Sequence, residues 1–251
     1  MTSYDQQFFD YVNAGALRSA QRLLPVLLRS LSVSSVLDVG CGQGAWLSVW
    51  KQLGVSTTLG IDGAYVDKSR LLCAPEFFLE GDLSQPFDLG RRFELVQSLE
   101  VAEHLPASCA APFVESLVRH SDFVLFSAAP KGQGGDNHVN EQDYDYWRRI
   151  FAEHDYTPID FLRRKILSDS RVEPWYRYNP ILYVKKDRID ELRAELRDCM
   201  VPDHLAIQDI SPLLYKLRKL IVRTLPVPVM TRIAKLKERR SVWVARNQSL
   251  T

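Results

Sequence analysis

The sequence predicts an α/β fold: a seven-stranded, mostly parallel sheet with helices on both faces, plus helical N- and C-terminal extensions. Three observations carry that expectation. Short apolar runs alternate with helix-like segments, the pattern of parallel strands joined by right-handed crossovers. The first run, Val36-Leu37-Asp38-Val39, ends in Gly40-Cys41-Gly42-Gln43-Gly44 and gives way to a helix beginning near Ala45. Acids then mark the ends of the first three runs, at Asp38, Asp62 and Asp82, and a doubly wound sheet binds its ligand at strand tips.

The elements follow in order. Residues 8–31 carry Leu17, Leu24, Leu27, Leu28 and Leu31 at roughly helical spacing, predicting one or two helices that cover a cofactor pocket. Strand-like runs occupy 35–39, 57–61, 77–79, 93–98 and 123–128. A helix suits 144–154, and further strands suit 157–163 and 179–185, joined by a loop containing Pro174. Residues 187–200 read as a charged helix, followed by a Pro-containing linker and a basic tail. The expected organisation is an N-terminal helical region, 1–34, a sheet domain, 35–186, and a helical, basic extension, 187–251. No internal repeat or low-complexity tract interrupts it.

Composition narrows the class. At 251 residues with 46% hydrophobic content, the chain can bury one substantial core. A formal charge of +1 gives no global bias toward nucleic acid. Cys41, Cys73, Cys109 and Cys199 are scattered without a C-x-x-C pair and read as reduced thiols. The first ten residues lack an apolar targeting core, and no run approaches the roughly 18 apolar residues of a membrane span, so a soluble cytoplasmic protein is expected.

Glycines at the first turn let backbone and ligand meet where a Cβ would intervene. The spacing Gly40-x-Gly42-x-Gly44 departs from the G-x-G-x-x-G dinucleotide fingerprint, which weakens a nicotinamide reading. Asp38 can accept from an ammonium group or anchor the loop's own amides. Asp62, about 20 residues further on, is placed to accept ribose hydroxyls, and Asp82 suits an adenine amino group. Any one of these acids alone reads more readily as a loop or cap residue; their order at three strand ends argues otherwise.

D-x-G-x-G-x-G resembles motif I of the class I S-adenosylmethionine-dependent methyltransferases, a Rossmann-like family, and the resemblance extends from residue 35 to about 184. It implies S-adenosyl-L-methionine as cofactor and a sheet ending in an antiparallel hairpin. By that likeness Gly40, Gly42 and Gly44, with Cys41 between them, contact the methionine and ribose portion. Asp62 with Gly63 takes the ribose, Asp82 with Leu83 the adenine, and the sulfonium sits near Ser98.

On the acceptor side, Glu100, Glu103 and His104 share one face if they lie on a helical turn. The glycine-rich loop after the fifth strand brings His138. E-x-x-E-H with a later His resembles the divalent metal site of ubiquinone-pathway O-methyltransferases and small-RNA 2′-O-methyltransferases, which here maps onto Glu100, Glu103, His104 and His138. Such ligands suit Mg²⁺, Mn²⁺, Fe²⁺ or Zn²⁺. Two other readings stand beside it: His104 or His138 as a metal-free general base, with Glu103 in the same catalytic group, or a purely structural cluster. The segments His138-Val139-Asn140-Glu141-Gln142 and Glu173-Pro174-Trp175-Tyr176-Arg177-Tyr178-Asn179 resemble a bacterial methyltransferase group often associated with glycan or natural-product pathways. Trp175 and Tyr176 either stack on an acceptor or bury a loop.

Between residues 213 and 240, nine basic residues meet one acid, Glu238, with Leu213, Leu214, Leu217, Leu220 and Ile221 between them at helical spacing. This basic amphipathic segment suits an anionic membrane surface or a helix docked on the protein with its charges in water. RNA ranks third, for want of aromatic platforms. The leading expectation is O-methylation of a hydroxyl on a small molecule or glycan, with peripheral membrane contact through the tail. RNA 2′-O-methylation, disfavoured by the missing basic groove, and a non-catalytic binding module are the alternatives. Neither the acceptor nor the oligomeric state is legible.

Overall fold

A computed structural model of the chain describes residues 3–225, with side chains from residue 13 onward. Seven strands build one sheet: β1 (Ser35–Val39), β2 (Thr57–Asp62), β3 (Phe78–Glu80), β4 (Leu95–Leu99), β5 (Phe123–Ser127), β6 (Tyr156–Ile159) and β7 (Ile181–Lys185). Their order is β3-β2-β1-β4-β5-β7-β6. The first five run parallel, and β7 is antiparallel to both β5 and β6. The predicted fold class holds. The chain winds outward through β1, β2 and β3, then returns to the other side of β1 as β4, creating a crevice at the carboxyl ends of β1 and β4.

Strand residues alternate between two cores. Val36, Leu95, Leu125, Leu182 and Val184 face one side, where they pack with Leu23, Leu24 and Leu27 of α1 (Ser3–Ser30), Trp50 of α2 (Ala45–Gln52) and Leu162 and Ile166 of α5 (Leu162–Ile166). Leu37, Val39, Val96, Val124, Phe126 and Tyr183 face the other, against Phe113 and Leu117 of α3 (Ala110–His120) and Trp147 and Phe151 of α4 (Tyr144–Ala152). Burial on both faces makes each central strand an almost continuous apolar run. Asp38 and Gln97 are therefore polar insertions into otherwise apolar strands, and the register places them side by side.

α1 is one helix running through Pro25, and it belongs to the first core. Its Asn13 donates to the Gln43 side chain in the glycine turn at 2.6 Å, so this end of the helix abuts that turn. Beyond β5 the sequence reading needs correction in three places. The expected strand 157–163 ends at Ile159, because the following residues turn so that Asp160 can form a buried bidentate pair with Arg163. The loop before β7 contains α5 and α6 (Pro174–Tyr178), with Pro174 opening α6 where its missing N–H has no helical partner to lose. The expected helix 187–200 is a 3-10 segment, Lys186–Glu191, and a short α7 (Ala194–Arg197), broken at extended Leu192 so that both Leu192 and Leu196 enter the core. The last described element is α8 (Leu213–Arg223).

Candidate active site

The glycine turn is built by backbone geometry. Gly40, Gly42 and Gly44 have φ of 83°, 54° and 82°, the left-handed region that side chains resist. Added Cβ atoms at Gly40 and Gly44 would strike Val101 and Cys73, so those glycines are required by packing. At Gly42 a Cβ would meet nothing within 4 Å: its Cα faces open space. Gly42→Ala is thus expected to fold, losing about 1 kcal/mol to backbone strain, while its methyl group obstructs any ligand lying on the turn. Calorimetric titration of S-adenosylmethionine should show affinity reduced by roughly tenfold or more.

The three strand-tip acids differ sharply. Asp38 is almost completely buried; Oδ1 accepts from Gln97 Nε2 at 3.1 Å, while Oδ2 makes no hydrogen bond. Trp50 Nε1 donates to Gln97 Oε1 at 3.1 Å and so fixes which end of that amide faces Asp38. Desolvation, tempered by the Gln97 bond and reinforced by nearby Asp62, pushes the Asp38 carboxyl up to about 7. Asp62 points into the turn. Its Oδ2 accepts from Gly42 N at 2.6 Å, and its Oδ1 accepts from Gly63 N at 2.7 Å and from the Tyr65 hydroxyl. Asp82 is solvated and engaged locally, accepting from Ser84 N and Oγ, which hold its carboxyl below the usual range.

The other expected cofactor residues are placed less directly. The Cys41 side chain packs under β2 with Leu47, Val66 and Phe78, and burial, with Asp38 and Asp62 nearby, pushes its thiol well up. Only its backbone borders the turn. Leu83 packs into the second core with Ile61 and Phe93. Ser98, on β4, is fully buried and its Oγ has no partner.

Beyond β4 the backbone departs from the expected helical turn. Glu100 has φ 58° and its N–H donates to Ser127 O at 2.9 Å, continuing the β4–β5 ladder; a 3-10 turn, Ala102–His104, begins only afterwards. Glu100 is thereby left outside the cluster of Glu103, His104 and His138, though its charge still acts on Glu103. Its two oxygens accept from Asn179 Nδ2 at 3.0 Å and Gln133 Nε2 at 2.6 Å.

Glu103, His104 and His138 do converge, with one ligand atom from each lying within 4.8 Å of the others. The two imidazoles meet edge to face, centroids 4.8 Å apart. Glu103 is fully buried with neither carboxylate oxygen hydrogen-bonded, and burial together with Glu100 drives its carboxyl well above the usual range. The Glu103 carbonyl accepts from Val139 N and Asn140 N at 2.9 and 3.0 Å, which ties the His138 loop to this turn. Burial, and secondarily His138, pushes His104 down to about 4, so at neutral pH its ring is uncharged.

Sequence reasoning missed the residue that orients His138. Glu141 Oε1 faces His138 Nδ1 at 2.8 Å and accepts from Gly134 N at 2.6 Å, and its Oε2 accepts from Gly132 N at 2.8 Å. Carboxylate and glycine loop together fix the His138 ring, whose Nε2 lies against Gly135 and whose edge meets the His104 ring. Glu141→Gln is expected to lower turnover by about 10–100-fold with cofactor affinity unchanged, read by steady-state kinetics beside calorimetry. Its only sequence signal was a carboxylate three residues after the histidine.

Of the aromatics at the expected mouth, Tyr176 is buried edge to face on Trp46 and Trp175 is packed against the same core. They bury the loop. A cavity of about 410 Å³ opens near the amino-terminal edge of the sheet, among Glu94, Asp122, Arg188 and Arg193. Its charges are engaged locally, Arg188 by Glu191 at 2.7 Å and Asp122 by Arg92 at 2.5 Å, and it lies away from the strand tips just described.

Residues 10–121 match the family model of a methyltransferase domain. No curated protein sequence matches the chain. Among solved structures, the chain is similar to DesVI of Streptomyces venezuelae, with 21% identity, 54% of this chain and 62% of that one covered, and a TM-score of 0.44. It thus spans less than two thirds of DesVI. It is also similar to the methyltransferase domain of a bacterial Hen1 (19% identity, 66% and 98% covered, TM-score 0.49). A third likeness is to magnesium protoporphyrin IX methyltransferase of Synechocystis PCC 6803 (22% identity, 72% and 80% covered, TM-score 0.47).

Proposed function

We propose that the chain, whose residues 10–121 match a methyltransferase domain, uses S-adenosylmethionine to methylate a hydroxyl oxygen on a small molecule or glycan. The observation carrying this reading is the buried Glu103, with both oxygens unpartnered, beside two imidazoles. A buried carboxylate without a donor awaits a cation or a proton. A hydroxyl nucleophile needs both, since its proton must be removed and its developing charge stabilised. An amine needs only its neutral form, and a cation at this position would compete with it.

The cofactor end fits the same reading. Asp38 Oδ2, buried and unpartnered, suits the α-ammonium of S-adenosylmethionine. On Asp62 the Tyr65 hydroxyl occupies an acceptor position that suits a ribose hydroxyl. Bound S-adenosylmethionine supplies an already activated methyl group on sulfur. The protein's task is therefore to orient the acceptor in line and take its proton.

Glu103, His104 and His138 would hold a divalent cation of the Mg²⁺, Mn²⁺, Fe²⁺ or Zn²⁺ kind, which would lower the acceptor hydroxyl's pKa. Glu100 stands outside this set because Gln133 and Asn179 hold it. Neutral His104 has a lone pair available at pH 7, and Glu141 holds His138 in one orientation, so either ring can accept the hydroxyl proton.

The test is transfer of labelled methyl to hydroxylated acceptors, native or acetylated on oxygen, with and without a chelator. Ether formation that acetylation abolishes and chelation reduces by roughly tenfold or more is expected. Labelling confined to amines would contradict the proposal, and full activity without metal would leave the histidines as the base.

A further inference from the structure

α8 lies on the protein the opposite way round from an ordinary amphipathic helix. Its polar side faces inward. Arg218 Nη1 donates to the Gln133 carbonyl at 2.8 Å, Arg223 Nε donates to the Lys131 carbonyl at 2.9 Å, and buried Lys219 pairs with Asp209 at 2.5 Å. The Lys219 carbonyl comes so close to Gly132 that a Cβ there would collide with it. Carbonyl groups of the glycine loop demand donors, and α8 supplies them from its basic residues.

The apolar side is left in solvent. Leu213, Leu214, Leu217, Leu220 and Ile221 are 46–80% exposed, and their three-, four- and seven-residue spacings form one stripe. Contiguous apolar surface of this kind marks an interaction face. Charge selects the occupant. Of the nine basic residues between 213 and 240, Arg218, Lys219 and Arg223 bind the protein, which leaves six others against the single acid Glu238, and Arg246 adds another cation. Pairing with a second copy of the same stripe would bring two such cationic segments together. An anionic lipid surface accepts both features, the stripe at the headgroup boundary and the cations at the lipid charges.

We propose that the exposed stripe of α8 seats the protein on an anionic membrane surface. Among the described residues no helix is long and apolar enough to cross a membrane. α8 also sits close to the chemistry. The loop clasped by the inner face of α8 carries Gln133, which donates to Glu100, and its Gly132 and Gly134 amides hold Glu141.

The experiment is co-sedimentation of the full chain with phosphatidylcholine vesicles, alone or with about one third phosphatidylglycerol. It is repeated with Leu214→Glu/Ile221→Glu, two solvent-facing positions the fold does not need. The wild type is expected to partition into anionic vesicles roughly tenfold or more above neutral ones, less so at high salt, and the variant to lose that preference. S-adenosylmethionine affinity, measured on both proteins, should be equal, which separates lost docking from lost folding. Equal partitioning of variant and wild type overturns the proposal. So does a wild type that ignores vesicles but forms a dimer the variant cannot, which would assign the stripe to a second copy.

Discussion

Asp38→Asn is expected to make the ligand-free protein more stable above neutral pH while weakening S-adenosylmethionine binding about a hundredfold. Both effects arise from one carboxylate kept in a place that disfavours it. Burial raises Asp38 from 3.8 to about 7, so the folded state holds this proton over a range where the unfolded chain releases it. The resulting destabilisation is absent below about pH 4, grows as pH rises, and is complete above about pH 7, where it amounts to something on the order of 4 kcal/mol. Asparagine removes the charge and still accepts from Gln97, at a cost of about 1–3 kcal/mol for an amide group left unpaired. The net gain should appear as a melting temperature several degrees higher near pH 8 and little changed near pH 5. Affinity should fall because the ammonium of the cofactor loses its buried counter-charge. A variant less stable at pH 8, with unaltered affinity, would show that Asp38 only braces the loop.

The second large effect is expected at Glu103. Glu103→Gln preserves volume and leaves intact the backbone carbonyl that receives Val139 N and Asn140 N, so the His138 loop should stay in place. What disappears is the buried carboxylate that meets both imidazoles. Turnover should fall by roughly a thousandfold with cofactor affinity within about twofold of wild type. Glu100→Gln is the informative contrast. Glu100 accepts from Asn179 and Gln133, so an amide there turns one acceptor into a donor facing a donor. That change should cost about 1–3 kcal/mol of stability. Kinetics and thermal melts on the two variants separate the roles: Glu103→Gln loses rate, Glu100→Gln loses stability.

Much of this was legible in the sequence because the relevant signals are local. β1, β4 and β5 are apolar on both faces, and the left-handed glycines at 40, 42 and 44 follow immediately on the first strand. What escaped depends on partners distant in sequence. Glu100, Glu103 and His104 have helical spacing, yet pairing of Glu100 N with Ser127 O holds Glu100 to the strand and hands its carboxylate to residues 133 and 179. Gln97 reads as a stray polar residue until Trp50 and Asp38 are placed on either side of it. For α8 the amphipathic spacing was plain. Which side turns inward was not, because the loop carbonyls at 131 and 133 that attract its arginines lie more than eighty residues away along the chain. Of the basic tail, residues 226–251 lie outside the described residues.

The Asp38 carboxylate, buried at the tip of β1 with Oδ2 unpartnered, is proposed to receive the cofactor's ammonium group. Calorimetric titration of S-adenosylmethionine into the wild-type protein between about pH 5.5 and pH 8 tests it directly. Protonation of Asp38 competes with the ammonium, so the dissociation constant should level off toward pH 8 and rise about tenfold for each unit below pH 7. A dissociation constant unchanged across that range, or no binding at any pH, would contradict the account.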